Sequence, residues 1–279
     1  MRRILVALDA SLHSLAALET AAELAARWHA ELLGVFVEDV NLLRLAGLPF
    51  PREVYASSAT AEPLDTPSME RALKVRAEQA RRAFVATAAR AKVQASFRVV
   101  RGQVAAEVLG AASEADLLIL GRESRRLGRP APLGSTALTV ATRAARALLV
   151  RHGVPVTRPI LVVDDGSRSA SQALRVAASV AEALGGGLTV LVAADTADAR
   201  DALAARAAAL IGQRPVPVRF LPLPRVDVAH LARAVRAEGD GILVLGSPSL
   251  LRDEALEQLL HEIESPVLLV REDGEASAA

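Results

Sequence analysis

The 279-residue chain contains no cysteine, and this absence excludes several classes of protein. Disulfide scaffolds, cysteine-based zinc or iron–sulfur sites and thiol nucleophiles all need the missing side chain. Aromatic residues make up 3% of the chain, whereas hydrophobic residues as a whole make up 52%. Alanine, leucine and valine must therefore fill the core of a globular protein whose length suits two domains of ordinary size.

Lysine is nearly absent too, since only Lys74 and Lys92 occur and neither follows a glycine. A Walker A loop needs a Gly-Lys step, so P-loop nucleotide hydrolases are excluded. The 33 basic and 32 acidic residues leave a net charge of +1, which gives no general attraction to nucleic acid or to an anionic membrane. Asp9 ends the first apolar run and no run of 18 apolar residues occurs, so we expect no signal peptide, no membrane span and a cytoplasmic location.

An internal repeat divides the sequence into two halves. Ile4–Asp9 recurs as Ile160–Asp165, Asp116–Gly121 as Gly241–Gly246, and Leu148–Arg151 as Leu268–Arg271. The spacing between copies shrinks from 156 to 125 and then to 120 residues, which predicts deletions in the second half after its second and fourth strands. We predict domains at 1–152 and 158–271, a linker near 151–159 and a flexible tail at 272–279.

Runs rich in valine, leucine and isoleucine alternate with alanine-rich stretches of helical periodicity, which is typical of βα units. For the first half we predict strands near 3–8, 32–37, 95–100, 116–120 and 147–151, and helices near 14–29, 69–92, 103–114 and 135–145. The predicted fold class is α/β, with two tandem doubly wound five-stranded parallel sheets of Rossmann-like type. The proline-containing insertion from Asp39 to about Pro67 is predicted to be irregular.

The segment Leu120–Thr136, which joins an apolar strand to a helix, is the strongest candidate for chemistry. Gly121 would let a ligand approach the strand end, and Gly134 before Ser135 and Thr136 would open a helix whose free N–H groups can bind phosphate. The segment also contains four arginines that would attract a polyphosphate, namely Arg122, Arg125, Arg126 and Arg129. The alternative is a solvated loop with an ordinary serine N-cap.

On these residues the sequence resembles the universal stress proteins in their tandem form, with two fused copies. The resemblance covers nearly the whole chain and rests on the opening Ile-Leu-Val-Ala-Leu-Asp-x-Ser, on the five-strand order of both halves and on the 120–136 loop. In nucleotide-binding members this loop reads Gly-x2-Gly-x9-Gly-(Ser/Thr) and holds ATP phosphates, while the Asp that ends the first strand lies near the nucleoside. Ser124 departs from that pattern by replacing the second glycine.

The resemblance implies that each half has an adenine-nucleotide α-hydrolase-like fold. It also implies ATP or a related adenine nucleotide as the ligand, with Mg²⁺ as a companion ion. The contacts carried over from it are Asp9, Gly121, Ser124, Gly134, Ser135 and Thr136. If the second position of the loop requires a positive φ, serine there costs roughly 1 kcal/mol and can crowd the phosphate, although its hydroxyl could also donate a hydrogen bond to it.

The second half lacks the phosphate loop, because Ser-Pro-Ser follows Gly246 and no later Gly-Ser occurs. Asp253 and Glu254, near the expected helix start, would stabilise the helix dipole but repel phosphate. We therefore predict at most one functional pocket, in the first half. In the family, two such domains pair through their last strands, which implies an internal pseudo-dimer with Ala147–Arg151 against Pro266–Arg271.

The predicted function is that of a stress-response regulator, in which the nucleotide acts as a switch or sensor and catalysis is at most slow ATP hydrolysis. The alternative is a protein–protein adaptor that binds no nucleotide. We expect an unidentified protein partner and no nucleic acid, and association of two chains stays open. A phosphorelay receiver, suggested by Asp164 and Asp165, needs a lysine that the second half lacks.

The turn after the first strand and the histidines give little support to a catalytic or metal site. The turn from Asp9 to Ser14 is not the Ser-Gly-Gly-x-Asp-Ser loop of ATP pyrophosphatases, and His13 is the only histidine near the pocket, where a structural role is favoured. The other histidines lack metal-ligand spacing.

The basic stretch 68–92 is interrupted by acidic residues, which favours a solvated helix face over a nucleic-acid-binding face. The apolar stretch 41–50 could be a lid, a contact for another chain or a segment packed on its own domain.

Overall fold

The computed structural model describes residues 1–48, 52–54, 61–63, 65–122, 135–151, 159–239, 241–246 and 253–271. Strands and helices alternate through both halves, as the sequence predicts. In the first half the elements are β1 (Arg3–Leu8), α1 (Leu12–Trp28), β2 (Glu31–Asp39), α2 (Val40–Ala46), β3 (Arg52–Val54), β4 (Ala61–Pro63), α3 (Thr66–Ala91), β5 (Ala95–Gly102), α4 (Val104–Ala112), β6 (Leu117–Arg122), α5 (Ser135–Arg143) and β7 (Arg146–Arg151).

The second half repeats the first without α2, β3 and β4 among its described residues. Its elements are β8 (Ile160–Asp164), α6 (Arg168–Leu184), β9 (Leu188–Val192), α7 (Ala197–Ile211), β10 (Val218–Pro222), α8 (Val228–Ala237), β11 (Ile242–Gly246), α9 (Asp253–Glu262) and β12 (Val267–Val270). The missing residues come from two places, because α7 has 15 residues where α3 has 26. The first deletion inferred from the repeat spacing thus removed the insertion and also shortened a helix.

Ten strands form one sheet in the order β10-β9-β8-β11-β12-β7-β6-β1-β2-β5. All neighbours are parallel except β7 and β12, which pair antiparallel with Leu148 opposite Leu268 and Ala147 opposite Leu269. This pairing confirms the predicted seam between the last strands of the two halves. The α/β fold class is confirmed as well, with five strands contributed by each half.

Helices cover both faces of the sheet. One buried cluster joins the sheet to α1, α3, α6 and α7, and the other joins it to α4, α5, α8 and α9. Neighbouring residues of β1 divide between them, since Ile4 and Val6 face the first cluster and Leu5 the second. Because both faces of the inner strands are buried, these strands are largely apolar, which is why they appear in the sequence as continuous hydrophobic runs. The edge strands β5 and β10 are partly exposed and contain arginine.

The insertion after β2 is more regular than the sequence predicts. Asp39 accepts a hydrogen bond from the Asn41 N–H at 2.8 Å and so begins α2, which packs against α3. Farther along, β3 and β4 pair antiparallel. The prolines, which favoured an irregular segment, lie outside α2, so the prediction of irregularity was wrong for the described part of the insertion.

Candidate functional site

The turn after β1 places Asp9 at the carboxyl end of the strand, where parallel α/β sheets bind ligands. The Asp9 carboxylate accepts a hydrogen bond from the Ser11 N–H at 2.9 Å, and Ser11 in turn caps α1 by accepting from the Ser14 N–H at 3.2 Å. Between them Ala10 has a φ of 63°, a left-handed conformation that is uncommon outside glycine. The turn therefore orients Asp9 through its own backbone.

The Asp9 carboxyl group is held in its ionised form. Burial of the group by neighbouring protein would by itself raise its pKa, but hydrogen bonds from Ser11 and Ser14 outweigh that effect and lower the pKa below its ordinary value. Asp9 as a residue stays exposed, so the charge is available to a ligand. An ionised carboxylate accepts hydrogen bonds, which suits the hydroxyl groups of a sugar.

Gly121 lies at the end of β6, beside the same turn. Strands β1 and β6 are parallel neighbours with Val6 opposite Ile119, so Asp9 and Gly121 come at one edge of the sheet. A Cβ on Gly121 would lie 2.3 Å from the His13 carbonyl oxygen in the first turn of α1. Close packing of strand against helix is thus a sufficient reason for this glycine, independent of any ligand.

The helix predicted after the loop is present, and α5 begins at Ser135 with Thr136 in its first turn. Its N-terminus follows β6 at the carboxyl edge of the sheet, on the face opposite α1. Of the other predicted contacts, Ser124 and Gly134 lie outside the described residues. The described part of the site therefore consists of the Asp9 turn, Gly121 and the start of α5.

Arg122 does not serve as the predicted phosphate contact. Its side chain is buried and donates hydrogen bonds to main-chain carbonyl oxygens at the end of α9, including Leu260 at 2.7 Å and Ile263 at 2.8 Å. The sequence gives no signal for this contact, because the two segments lie about half the chain apart. The other three arginines of the loop lie outside the described residues.

The equivalent turn in the second half contains an ion pair that the first half lacks. Asp164, fully buried, accepts hydrogen bonds from Arg206 at 2.8 Å and from the Gly166 N–H at 3.0 Å. Arg206 also donates to the Gly166 carbonyl oxygen at 2.7 Å. The position that Asp164 occupies corresponds to Leu8 of the first half. The acidic pair that suggested a receiver is thus divided, with Asp164 bound to arginine and Asp165 in the turn.

A cavity of about 340 Å³ opens at the carboxyl ends of β9 and β10, in the second half. Its lining includes the carboxylates of Asp195 and Asp227 and one arginine, Arg225. The Asp227 carboxylate already has hydrogen-bond partners, because it caps α8 by accepting from the His230 N–H and its Oδ1 lies 2.8 Å from Nδ1 of His230. The acidic lining does not suit a polyphosphate. Asp253 and Glu254, for which the sequence predicts repulsion of phosphate, are the first residues of α9 and lie outside this lining.

His13 is half-buried, and its Nδ1 is a buried atom that has no hydrogen-bond partner in the part of the chain that the structure describes. Glu78 pairs with Arg81 and Arg82, both at 2.9 Å, as a solvated helix face would. Within the described ranges no three His, Asp or Glu side chains come together as metal ligands. No helix there is both long and apolar enough to cross a bilayer.

The model of the Universal stress protein family matches residues 1–152. A universal stress protein from Archaeoglobus fulgidus DSM 4304 has a similar structure over 96% of this chain and 98% of its own, with a TM-score of 0.74 and 17% identity. That likeness shows the fold of the whole chain. No curated protein matches it in sequence.

Shorter solved structures match about half of the chain. A universal stress protein in complex with cAMP has 23% identity over 55% of this chain and 98% of its own, with a TM-score of 0.36. A universal stress protein family member from Arabidopsis thaliana with AMP bound has 16% identity over 55% of this chain and 94% of its own, also with a TM-score of 0.36.

Proposed function

The chain belongs to the universal stress protein family, and from this membership we propose that its first half binds ATP or a related adenine nucleotide as a switch or sensor in a stress response. The observation that carries the proposal is the arrangement at the carboxyl ends of β1 and β6. An ionised Asp9, the Gly121 backbone and the N-terminus of α5 come at the same edge of the sheet.

Each of these groups suits a different part of a nucleotide. The Asp9 carboxylate would accept hydrogen bonds from ribose hydroxyls. Free N–H groups in the first turn of α5, at Ser135 and Thr136, would bind phosphate oxygens with the help of the helix dipole. Gly121, Ser124 and Gly134 would supply the close backbone approach that the family loop provides. The negatively charged phosphates of the nucleotide would bind Mg²⁺ as a companion ion.

We propose different roles for the two halves of the chain. Residues 1–152 form the nucleotide-binding domain, and 158–271 form a structural partner whose carboxyl edge is acidic and carries the Asp164–Arg206 pair. The protein works in the cytoplasm as a binding module, without turnover beyond slow ATP hydrolysis.

The test begins with protein purified without added nucleotide. The chain is denatured and whatever small molecule is released is identified by mass spectrometry, with its amount per chain. We expect about one adenine nucleotide per chain, and a calorimetric ATP titration of the emptied protein should give the same stoichiometry. Two equivalent sites per chain would contradict the single-pocket proposal.

The second candidate is an adaptor that binds proteins and no nucleotide. The apolar residues Leu45 in α2 and Leu48 just after it favour this candidate, since each is about half exposed. Ser124 in place of glycine favours it too. No released nucleotide, together with no ATP binding at millimolar concentration, would select the adaptor over the switch.

A further inference from the structure

Arg122 connects the candidate site to the second half of the chain. It follows Gly121 directly at the end of β6 and is 2% exposed. Its guanidinium group donates to four main-chain carbonyl oxygens that close α9 and the turn after it, at 2.7 to 3.1 Å: Leu260, Ile263, Glu264 and Ser265. The last carbonyls of a helix lack partners within the helix and carry partial negative charge, so a cation is favoured there. We call this contact the α9 cap.

The α9 cap keeps a charged group inside the protein. Burial lowers the pKa of Arg122 to about 9, with repulsion from Arg151 acting in the same direction and Glu264 acting against both. The group therefore remains charged at neutral pH. Arg151 also pairs with Glu264 at 3.0 Å, so two arginines from the first half bind the same stretch of the second. A buried charge is retained only when hydrogen bonds compensate for its desolvation. The four carbonyl groups provide such bonds to the two terminal nitrogens of Arg122, whereas its Nε has no partner among the described residues.

Joining the two halves does not require Arg122. The seam already consists of the β7–β12 pairing, and its two strand-end arginines act alike: Arg151 pairs with Glu264 after α9, and Arg271 donates to the Thr142 carbonyl oxygen at the end of α5. Arg122 has no such counterpart in the sequence, because Ser247 stands at the equivalent position. Arg122 thus has no equivalent in the second half, and it lies in the half whose sequence contains the phosphate-loop pattern.

A continuous line of contacts runs from the site to α9. The Asp9 turn leads into α1, the backbone of His13 in α1 touches Gly121, and Arg122 next to Gly121 binds the end of α9. We infer that Arg122 is a positioning residue, through which α9 of the second half holds the carboxyl end of β6 in the geometry that nucleotide binding requires. This inference rests on the proposed function. By reciprocity, a nucleotide bound in the first half must stabilise the end of α9.

The experiment compares wild type with Arg122→Lys, Arg122→Leu and a matched control, Arg236→Leu. Arg236 donates to the Glu262 carbonyl oxygen at 2.7 Å, so it too binds the end of α9, but from α8 and without contact to Gly121. ATP affinity is measured by calorimetry, folding by circular dichroism and thermal melting, and the order of residues 253–265 by hydrogen exchange with and without ATP.

In wild type we expect ATP to slow exchange at residues 260–265. A lysine at position 122 keeps the charge but cannot reach four carbonyl groups, so its ATP Kd should rise at least about fivefold and the ATP-dependent protection should disappear. Arg122→Leu should show a larger loss of affinity. Arg236→Leu should lower the melting temperature while its ATP Kd stays within about twofold of wild type.

Four results would overturn the inference. Folded Arg122 variants with wild-type ATP affinity would reduce Arg122 to a seam contact, and so would wild-type protein in which ATP leaves exchange at 260–265 unchanged. An equal loss of affinity in Arg236→Leu would mean that any damage to α9 weakens binding. Wild type that binds no adenine nucleotide by calorimetry would overturn the proposed function together with this inference, whereas in the other three results wild type still binds ATP.

Discussion

The two halves of the chain build the same turn after their first strand and differ in the residue before it. Asp9 accepts from the Ser11 N–H at 2.9 Å, and Asp165 accepts from the Ser167 N–H at 3.0 Å. Ser11 and Ser167 then cap α1 and α6 in the same way. The turn is therefore a requirement of the fold, and its presence in a half does not by itself indicate a ligand.

What distinguishes the halves lies around the turn. Leu8 in the first half packs into the core, whereas Asp164 in the second binds Arg206. In the first half 12 residues separate β6 from α5, whereas in the second half six residues separate β11 from α9, which starts with two acidic residues. We conclude that the candidate site depends on these surroundings, and the following variants test that conclusion.

The largest effect is expected from an alanine at Gly121 or at Gly246. The added Cβ would lie 2.3 Å from the His13 carbonyl oxygen in the first case and 2.6 Å from the Ser169 carbonyl carbon in the second. Because backbone atoms cannot rotate away, each substitution should lower the free energy of unfolding by about 3 kcal/mol or more, measured by urea denaturation.

Gly110 in α4 provides the control for this pair, since a Cβ there would meet no atom within 4 Å. Gly110→Ala should raise the free energy of unfolding by about 0.5–1 kcal/mol, because alanine suits a helix interior better than glycine. Damage in Gly121→Ala alone, with Gly246→Ala unaffected, would show that the two glycines serve different purposes.

The next effect concerns the ion pair of the second half. Arg206→Met leaves the buried carboxylate of Asp164 without its cation and should cost about 2 to 3 kcal/mol of unfolding free energy, less than a fully buried pair because Arg206 is partly exposed. The double variant Asp164→Leu with Arg206→Met copies the Leu8 arrangement of the first half. It should regain most of the lost stability, and a double-mutant cycle measures the coupling. Additive losses would mean that the pair does not act as a unit.

The variants Asp9→Asn and Asp165→Asn test whether the two turns differ in nucleotide binding. Either amide retains an oxygen for the Ser11 or Ser167 N–H, so both variants should fold normally. ATP affinity, measured by calorimetry, should fall about tenfold in Asp9→Asn and stay unchanged in Asp165→Asn. Equal effects would place the nucleotide elsewhere.

The pH dependence of ATP binding sharpens this test. Although burial opposes it, hydrogen bonding from Ser11 and Ser14 lowers the pKa of Asp9, so the carboxylate stays ionised as the pH falls to the ordinary value of about 4. The Asp9 contribution to affinity should persist down to that pH and disappear only below it. A loss at a pH well above about 4 would mean that a group other than Asp9 limits the affinity.

The sequence predicted the fold well because local patterns determine it. Continuous apolar runs marked the buried strands and alanine periodicity marked the helices. The resemblance to the family implied the seam, which the pairing of Leu148 with Leu268 confirms. The contacts of Arg122 and Arg206 could not be predicted, because each joins segments far apart in the sequence and an arginine carries no sign of its partner. The helix α2 was missed because prolines near it outweighed the short Asp39-capped run.

The smallest effect concerns the residue with positive φ in each turn, which is Ala10 at 63° and Gly166 at 88°. A left-handed conformation costs a residue with a Cβ about 1 kcal/mol, and the greater freedom of glycine in the unfolded chain offsets part of any gain. Ala10→Gly should therefore raise the free energy of unfolding by less than about 1 kcal/mol, whereas Gly166→Ala should lower it by about that amount. Urea denaturation measures both. If Ala10→Gly is more stable yet binds ATP more weakly, the strained alanine serves to hold Asp9 in place, and the two turns differ in function as well as in sequence.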